Sequence, residues 1–131
     1  MTIRVPHHEL ADTLALYGPG IIIPTPADGD FARVHEVVVR VVDGGRAMEV
    51  PGSLARSVTN RLPADDRVTI IFQPRDPHGW VLLIEGHAST THGSWEESRW
   101  SFAGGFAVVD AQDTMVRVEV ASAMLHRARG L

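Results

Sequence analysis

The sequence contains no cysteine and no lysine, and both absences limit the chemistry that the chain can perform. Without cysteine there is no disulfide, no thiolate nucleophile and no cysteine-based metal site. Without lysine there is no Schiff-base chemistry, and a site for phosphate or carboxylate must use arginine or backbone N–H groups. All 12 basic residues are arginines, although a GC-rich coding sequence would produce the same composition.

The chain also lacks long apolar runs and an excess of positive charge. No run approaches the length of a membrane-spanning helix, and the opening MTIRVPHHELADTL has no apolar run long enough for a signal peptide. The net charge of −4 argues against nucleic acid as a partner. We therefore expect a cytoplasmic protein that binds neither membrane nor nucleic acid, and the absence of cysteine fits this expectation.

The length and apolar content of the chain suit one folded domain. Its 131 residues are 44% hydrophobic, which is typical of a globular protein with a real core. There is no internal repeat and no low-complexity linker. The sequence therefore predicts a single domain over residues 1–131.

Two apolar runs predict the centre of a β-sheet. Val68–Phe72 and Trp80–Ile84 are rich in β-branched and aromatic residues, and the connector QPRDPHG between them is rich in turn formers. This pattern predicts a hairpin. Because the runs do not alternate strictly, we expect these strands to be buried on both faces, as in a closed barrel or beneath a second layer.

The remaining elements are predicted from shorter patterns and breakers. Further strands are expected over Ile21–Ile23, Ala32–Val42, Ala47–Val50 after a turn at Asp43–Gly45, Ser98–Phe102, and a last hairpin of Phe106–Val109 with Thr114–Val120. Helices are expected over Pro6–Tyr17 and Ser53–Leu62, with Ser53 as N-cap, and the tail Ala121–Arg129 as a helical or irregular segment. This order of elements predicts a mainly β protein.

None of the familiar catalytic or metal-binding motifs is present. The chain has no G-x-S-x-G, no Walker loop, no G-x-G-x-x-G and no H-E-x-x-H. The seven histidines lack metal-ligand spacing, so we expect no metal site and a structural or solvated role for each. His35 is the best exception, because it lies within the long predicted strand.

The sharpest candidate site is the predicted strand-to-helix junction over Val50–Asn60. A helix N-terminus collects unpaired N–H groups and suits an anion such as phosphate. Ser53, Arg56, Ser57 and Asn60 would add hydroxyl, guanidinium and amide contacts. Solvated polar helix faces have the same composition, so the pattern alone leaves both interpretations open.

Four short motifs then occur in a familiar order. They are VTIIFQP at 68–74, HGW at 78–80, LIEGHA at 83–88 and AMLHR at 123–127. This order resembles the pyridoxamine 5′-phosphate oxidase-like family of flavin-binding split barrels, in particular its small single-domain members. Those proteins have a V-T-L-L-W-P-P run, a Gly-Gly-aromatic turn, an L-I-V-D-G-x-A strand and an A-V-L-H-R segment. The resemblance covers about residues 9–89 and 114–129.

The resemblance implies a six-stranded split β-barrel with short flanking helices, working as a homodimer with a flavin at the dimer interface. The cofactor implied is FMN, or the deazaflavin F420 as in actinobacterial relatives. In such proteins the region matching Gly52–Asn60 holds the phosphate, and the strand matching Arg33–Val39 lines the isoalloxazine. The cofactor-binding residues implied in this way are His35, Val37, Pro51, Gly52, Ser53, Arg56, Ser57 and Asn60.

Two departures from the family pattern bear on the function. The larger oxidases have Ser-Arg-Lys at this helix, whereas Ser57 is followed by Val58 here, so one phosphate-binding cation is missing. The stretch Thr90–Val109 is longer than the small members need, and would cap a cofactor pocket, extend the dimer interface or add an edge hairpin. The substrate residues of true pyridoxamine phosphate oxidases do not appear at the end of the chain.

The function implied by the resemblance is that of an FMN- or F420-dependent oxidoreductase acting on an unknown small molecule, with no catalytic residue identified in the chain. One alternative is a non-catalytic carrier of flavin, deazaflavin or haem, with His35, His87 or His126 as an axial ligand. Another is a dimer that has lost its cofactor. These alternatives stay open because a fold does not establish a function.

Overall fold

The computed structural model describes residues 1–26, 29–91 and 114–127, together with the backbone of two further strands, Arg99–Phe102 and Gly105–Val108. The strands are β1 (Thr2–Arg4), β2 (Tyr17–Pro24), β3 (His35–Val37), β4 (Arg40–Val42), β5 (Ala47–Pro51), β6 (Arg67–Pro74), β7 (Val81–Thr91), β8 (Arg99–Phe102), β9 (Gly105–Val108) and β10 (Met115–His126). The helices are α1 (Leu10–Leu14) and α2 (Arg56–Thr59). In the part of the chain that the structure describes, no helix is long and apolar enough to span a membrane.

Eight strands form one antiparallel sheet in the order β3-β2-β6-β7-β10-β5-β4, with β1 paired to the end of β10. Strand β10 organises this sheet, because it pairs with β7 along its whole length and with β5 along its first half. Strands β8 and β9 pair only with each other. The mainly β fold is thus confirmed, with more strands than the predicted six.

The sheet is curled because its two edge strands are almost contiguous in sequence. Strands β3 and β4 lie at opposite ends of the strand order, yet only Val38 and Val39 separate them. Three Cα steps of 3.8 Å reach at most ~11 Å, so the two edges must approach each other. Both valines are buried, at 6% and 8% exposure. The single strand predicted over Ala32–Val42 is therefore wrong, because the chain crosses there between edges.

The predicted central hairpin is confirmed, but it is fully buried on one face only. Strands β6 and β7 pair from Arg67–His87 to Phe72–Leu82. The inward residues of the two strands are almost fully buried: Val68, Ile70, Phe72, Leu82 and Ile84. Between them, Ile71 and Leu83 are half-buried on the outer face. The expectation of two equally buried faces is thus not met within one chain.

The last predicted hairpin is wrong. Strand β9, which covers most of Phe106–Val109, pairs with β8 instead of β10, and the turn predicted over 110–113 lies outside the described residues. The tail predicted as helical or irregular continues β10 as far as His126. A register shift between Val120 and Ser122 interrupts the alternation of apolar and polar residues. The continuation of the strand therefore could not be recognised from that alternation.

The first predicted helix is shorter than expected. A 3₁₀ turn over His7–Glu9 leads into the five residues of α1, and β2 already begins at Tyr17. Gly18-Pro19-Gly20, which separates the predicted helix from the strand predicted over Ile21–Ile23, lies within β2. The ladder with β6 shifts register between Tyr17 and Gly20, which is where a strand tolerates proline.

The second predicted helix is replaced by two short helical segments. A 3₁₀ turn covers Gly52–Leu54, and α2 follows with Ala55 at its N-cap, so the prediction of Ser53 as N-cap is wrong. The predicted apolar face is confirmed. Val58 is 1% exposed, and Leu54 and Leu62 pack against the core.

The turn between β4 and β5 contacts the N-terminal segment. Asp43, Gly44 and Gly45 all have positive φ, which confirms the predicted turn. His7 Nδ1 lies 3.2 Å from the carbonyl oxygen of Gly45. A Cβ at Gly45 would collide with the carbonyl of His7, so the 3₁₀ turn packs closely against this glycine.

Gly86 should be required for the pairing of β7 with β10. A Cβ there would collide with the carbonyl oxygen of Glu119 and lie 2.7 Å from Val118 Cγ1. We expect Gly86→Ala to lower the free energy of unfolding by about 1–3 kcal/mol in urea titrations. The matched control is Ser89→Ala, exposed on the same strand, which should change it by less than ~0.5 kcal/mol. Equal stability of the two variants would contradict this account.

Candidate functional site

A cavity of about 430 Å³ lies between the end of β2, the segment that leads into β3, and α2. Its polar lining consists of Thr25, Asp30, Arg33, Ser57, Asn60 and Arg61. The lining thus contains two guanidinium groups, those of Arg33 and Arg61, and one carboxylate, that of Asp30, so its net charge is positive. We call this site the arginine cavity. It brings together two of the residues predicted from the sequence, Ser57 and Asn60.

The hydroxyl of Ser57 is the unusual group in this lining. Its Oγ is buried and has no hydrogen-bond partner among the described residues. Leaving a buried hydroxyl unsatisfied costs about 1–3 kcal/mol, and such groups need an explanation. Ser57 also belongs to the lining of the arginine cavity, so a group bound there is a candidate partner for this hydroxyl.

Helix α2 and its C-terminal turn position the polar side chains. Ser57 and Asn60 are three residues apart and share a side of the helix, while Val58 points into the core. Arg61 follows, and its Nε donates to the carbonyl oxygen of Thr25 at 3.3 Å. This hydrogen bond connects the end of α2 to the end of β2, so both walls of the cavity are held together.

The helix at the predicted strand-to-helix site is shorter than expected. Helix α2 has four residues, too few for a useful N-terminal anion site. The Gly52 N–H donates to the carbonyl of Thr114 at 2.6 Å, so it is already occupied. Pro51 and Gly52 are buried, Ser53 and Arg56 are exposed, and none of the four lines the arginine cavity.

The two residues expected near a flavin ring, His35 and Val37, lie in β3, just after the segment that lines the arginine cavity. His35 pairs with Ile22 and Val37 with Gly20, so both lie on the core face of β3. Val37 is 1% exposed, whereas His35 is half-buried. Neither lines the arginine cavity, but Arg33, which does, precedes His35 by only two residues.

Charges next to α2 are paired. Arg67 hydrogen-bonds the carboxylate of Asp65 through its side chain and its backbone N–H, which lowers the pKa of Asp65 to about 2. The positive charge of Arg61 lowers the pKa of Asp65 further. The adjacent Asp66 contacts His87, with Asp66 Oδ1 lying 3.0 Å from His87 Nδ1. Neither Asp65 nor Asp66 lines the arginine cavity.

Two of the three histidines considered as axial ligands have polar neighbours within hydrogen-bonding distance. His87 Nδ1 contacts Asp66 and His126 Nδ1 contacts Thr2 Oγ1, and both rings are exposed. Within residues 1–26, 29–91 and 114–127, no group of three or more His, Asp or Glu side chains is placed to bind a metal ion.

Comparison with known proteins identifies the fold. No family model and no curated protein matches the sequence, but solved structures do. A candidate pyridoxamine 5′-phosphate oxidase from Corynebacterium glutamicum superposes with a TM-score of 0.64 at 10% identity, covering 99% of this chain and 96% of the other. This chain has the pyridoxamine 5′-phosphate oxidase-like split-barrel fold.

Two further structures agree with this assignment. A Clostridium acetobutylicum protein of the pyridoxinephosphate oxidase family gives a TM-score of 0.63 at 13% identity, covering 96% of this chain and 93% of that one. The FAD binding protein of Mycobacterium smegmatis gives 0.57 at 16%, covering 98% and 100%. The resemblance inferred from the sequence motifs is thus confirmed for the fold, and identities this low carry no residue roles.

Sequence reasoning predicted only Ser57 and Asn60 among the nine lining residues of the split barrel's arginine cavity, and three of the others show why. Arg61 lies four residues after Ser57, a spacing that could have been used to place both on one side of the helix. Arg33 was named only as the first residue of the strand expected to line the isoalloxazine, and not as a phosphate contact. Phe31, which is 95% exposed at the cavity, gave no signal, because an isolated aromatic in a loop has no periodic pattern.

Replacing Ser57 should reveal that its hydroxyl is unpaired in the ligand-free protein. We expect Ser57→Ala to leave the free energy of unfolding unchanged or raise it by up to ~1 kcal/mol, because the desolvation cost of the hydroxyl disappears. Thr25→Ala is the control, since Thr25 Oγ1 donates to the Arg67 carbonyl at 3.2 Å; it should lose about 0.5–1.5 kcal/mol. Urea titrations that rank the variants in the opposite order would show that the Ser57 hydroxyl has a partner.

Proposed function

We propose that this split barrel binds a flavin, FMN or the deazaflavin F420, with the cofactor phosphate in the arginine cavity. The observation that carries the proposal is the buried, unpaired Ser57 Oγ in a cavity that also contains Arg33 and Arg61. Flavin binding by a fold neighbour, the FAD binding protein of Mycobacterium smegmatis, supports the choice of ligand class.

The donor set of the arginine cavity fits a phosphate group. Guanidinium groups bind phosphate oxygens through paired N–H donors, and a hydroxyl and an amide add neutral donors from Ser57 and Asn60. Asp30 is the one carboxylate in the lining. Arg33 and Arg61 would thus provide the positive charge that the lysine of the Ser-Arg-Lys motif provides in the larger oxidases.

This proposal shifts the phosphate contacts relative to the motif-based prediction. Ser57 and Asn60 are retained. Arg56 is exposed and lies outside the lining, so we assign its predicted role to Arg61 and Arg33. The roles of His35 and Val37 beside the ring remain predictions. His35 is half-buried and would offer a ring nitrogen, whereas Val37 is 1% exposed in the single chain.

The proposed activity is that of an oxidoreductase acting on a small molecule. A bound flavin supplies the electron or hydride transfer, and the protein contributes binding, orientation and exclusion of water. In this chain the arginine cavity would anchor the anionic end, and β3 would place the ring. A flavin carrier without catalysis would use the same contacts, and only turnover with a reductant separates the two.

The first experiment is an absorption spectrum of the purified protein before and after loading with FMN or, separately, F420, followed by removal of the excess. We expect a retained flavin or deazaflavin band. A Soret band would instead favour the haem carrier. A protein that retains neither cofactor would contradict the proposal and favour the barrel that has lost its cofactor.

Three arginine variants then test where the phosphate binds. Arg33→Ala should weaken FMN binding about 10- to 100-fold, because a charge-assisted hydrogen bond is lost. Arg75→Ala, in the exposed β6–β7 connector, is the matched control and should leave the dissociation constant unchanged. Arg56→Ala should also leave it unchanged. Loss of binding in Arg56→Ala with retention in Arg33→Ala would restore the motif-based assignment.

We further propose that the protein is a homodimer, as the family resemblance implies. Half-buried Ile71 and Leu83 lie on the outer face of the sheet, where a second chain would complete their burial. Light scattering after size-exclusion chromatography should give about twice the chain mass of 14.3 kDa. A monomer mass at micromolar concentration would contradict this part of the proposal.

A further inference from the structure

A second cavity, of about 380 Å³, lies at the opposite end of β2 from the arginine cavity. It is bordered by α1, by the first residues of β2 and by Val38–Val41, where the chain crosses between the two sheet edges. No residue lines both cavities. We call it the α1 cavity, and nothing in the proposed flavin site makes use of it.

The lining of the α1 cavity is mainly apolar. Helix α1 and the residue after it contribute Ala11, Leu14 and Ala15, and the barrel contributes Val39 and Phe72. The polar side chains in the lining are those of Tyr17 and Arg40. Tyr17 donates its hydroxyl proton to the carbonyl of Trp80 at 2.6 Å, so that donor is already used.

The charge of Arg40 is balanced by its neighbours. Its Nη2 lies 3.1 Å from Glu49 Oε1, and Glu49 pairs in register with Arg117 on β10. Arg117 in turn contacts Glu119 at 2.6 Å and Asp43 at 3.3 Å. Three carboxylates therefore accompany two guanidinium groups, so this network offers no net attraction to an anion.

We propose that the α1 cavity binds a neutral, apolar compound of two or three rings. Its volume lies near the lower end of the ~300–1,000 Å³ typical of small-molecule pockets, which limits the size of the ligand. Its apolar walls favour the burial of apolar surface, and its balanced charges leave an ionised group without a partner. The proposal is independent of the flavin site.

Two fluorescent probes with the same ring system test the class of ligand. N-phenyl-1-naphthylamine is neutral, whereas 8-anilinonaphthalene-1-sulfonate carries a sulfonate on the same rings. We expect the neutral probe to bind saturably with one site per chain that Ala11→Phe removes, and the sulfonate to bind to that same site at least about tenfold more weakly, because its charge would be desolvated without a partner. Sulfonate binding to the arginine cavity is identified by its persistence in Ala11→Phe. Equal or tighter binding of the sulfonate to the site that Ala11→Phe blocks, or a signal that does not saturate, would overturn the proposal.

A blocking variant locates the site. Ala11→Phe places a ring in the α1 cavity from an exposed helix position and should abolish binding of the neutral probe. Ala64→Phe, at an exposed alanine outside both cavities, is the matched control and should bind as the unmodified protein does. If circular dichroism shows that Ala11→Phe is unfolded, Ala15→Phe replaces it. Unchanged binding in a folded blocking variant would place the probe elsewhere and refute the assignment.

Discussion

The short crossing through Val38 and Val39 is the constraint on which the structure depends. It joins the two edges of the sheet with two residues, so the sheet must curl until β3 and β4 approach each other. The curl encloses the core formed by β6, β7 and β10. Val38 and Val39 also line the α1 cavity.

Much of the fold could be predicted from local patterns, and the errors have physical causes. The β6–β7 hairpin and the turn at Asp43–Gly45 carry strong local signals, apolar runs and glycines, and both are confirmed. The single strand predicted over Ala32–Val42 was wrong, because a run of β-branched residues looks the same whether it continues one strand or links two. The end of β10 was missed because a bulge after Val120 breaks its alternation.

The candidate site was less predictable, because its residues come together only through tertiary structure. Ser57 and Asn60 were found through the motif on α2, but Arg33 and Arg61 join them only because the end of β2 lies against that helix. The helix-terminus argument assumed a long helix, whereas α2 has four residues, and the assignment of a phosphate to this junction stays a prediction. A sequence shows which groups are available, whereas the curled sheet and the elements packed on it decide which of them share a cavity.

Strand β2 borders one cavity at each of its ends. Tyr17 lies at the apolar end and Pro24 at the charged end, ~24 Å apart at the rise of an extended strand. Ladders to β3 and β6 hold the strand between them on both sides. A ligand in one cavity can change affinity in the other only by displacing β2 or the adjoining crossing segment. Because both are firmly paired or buried, the two sites are expected to be thermodynamically additive.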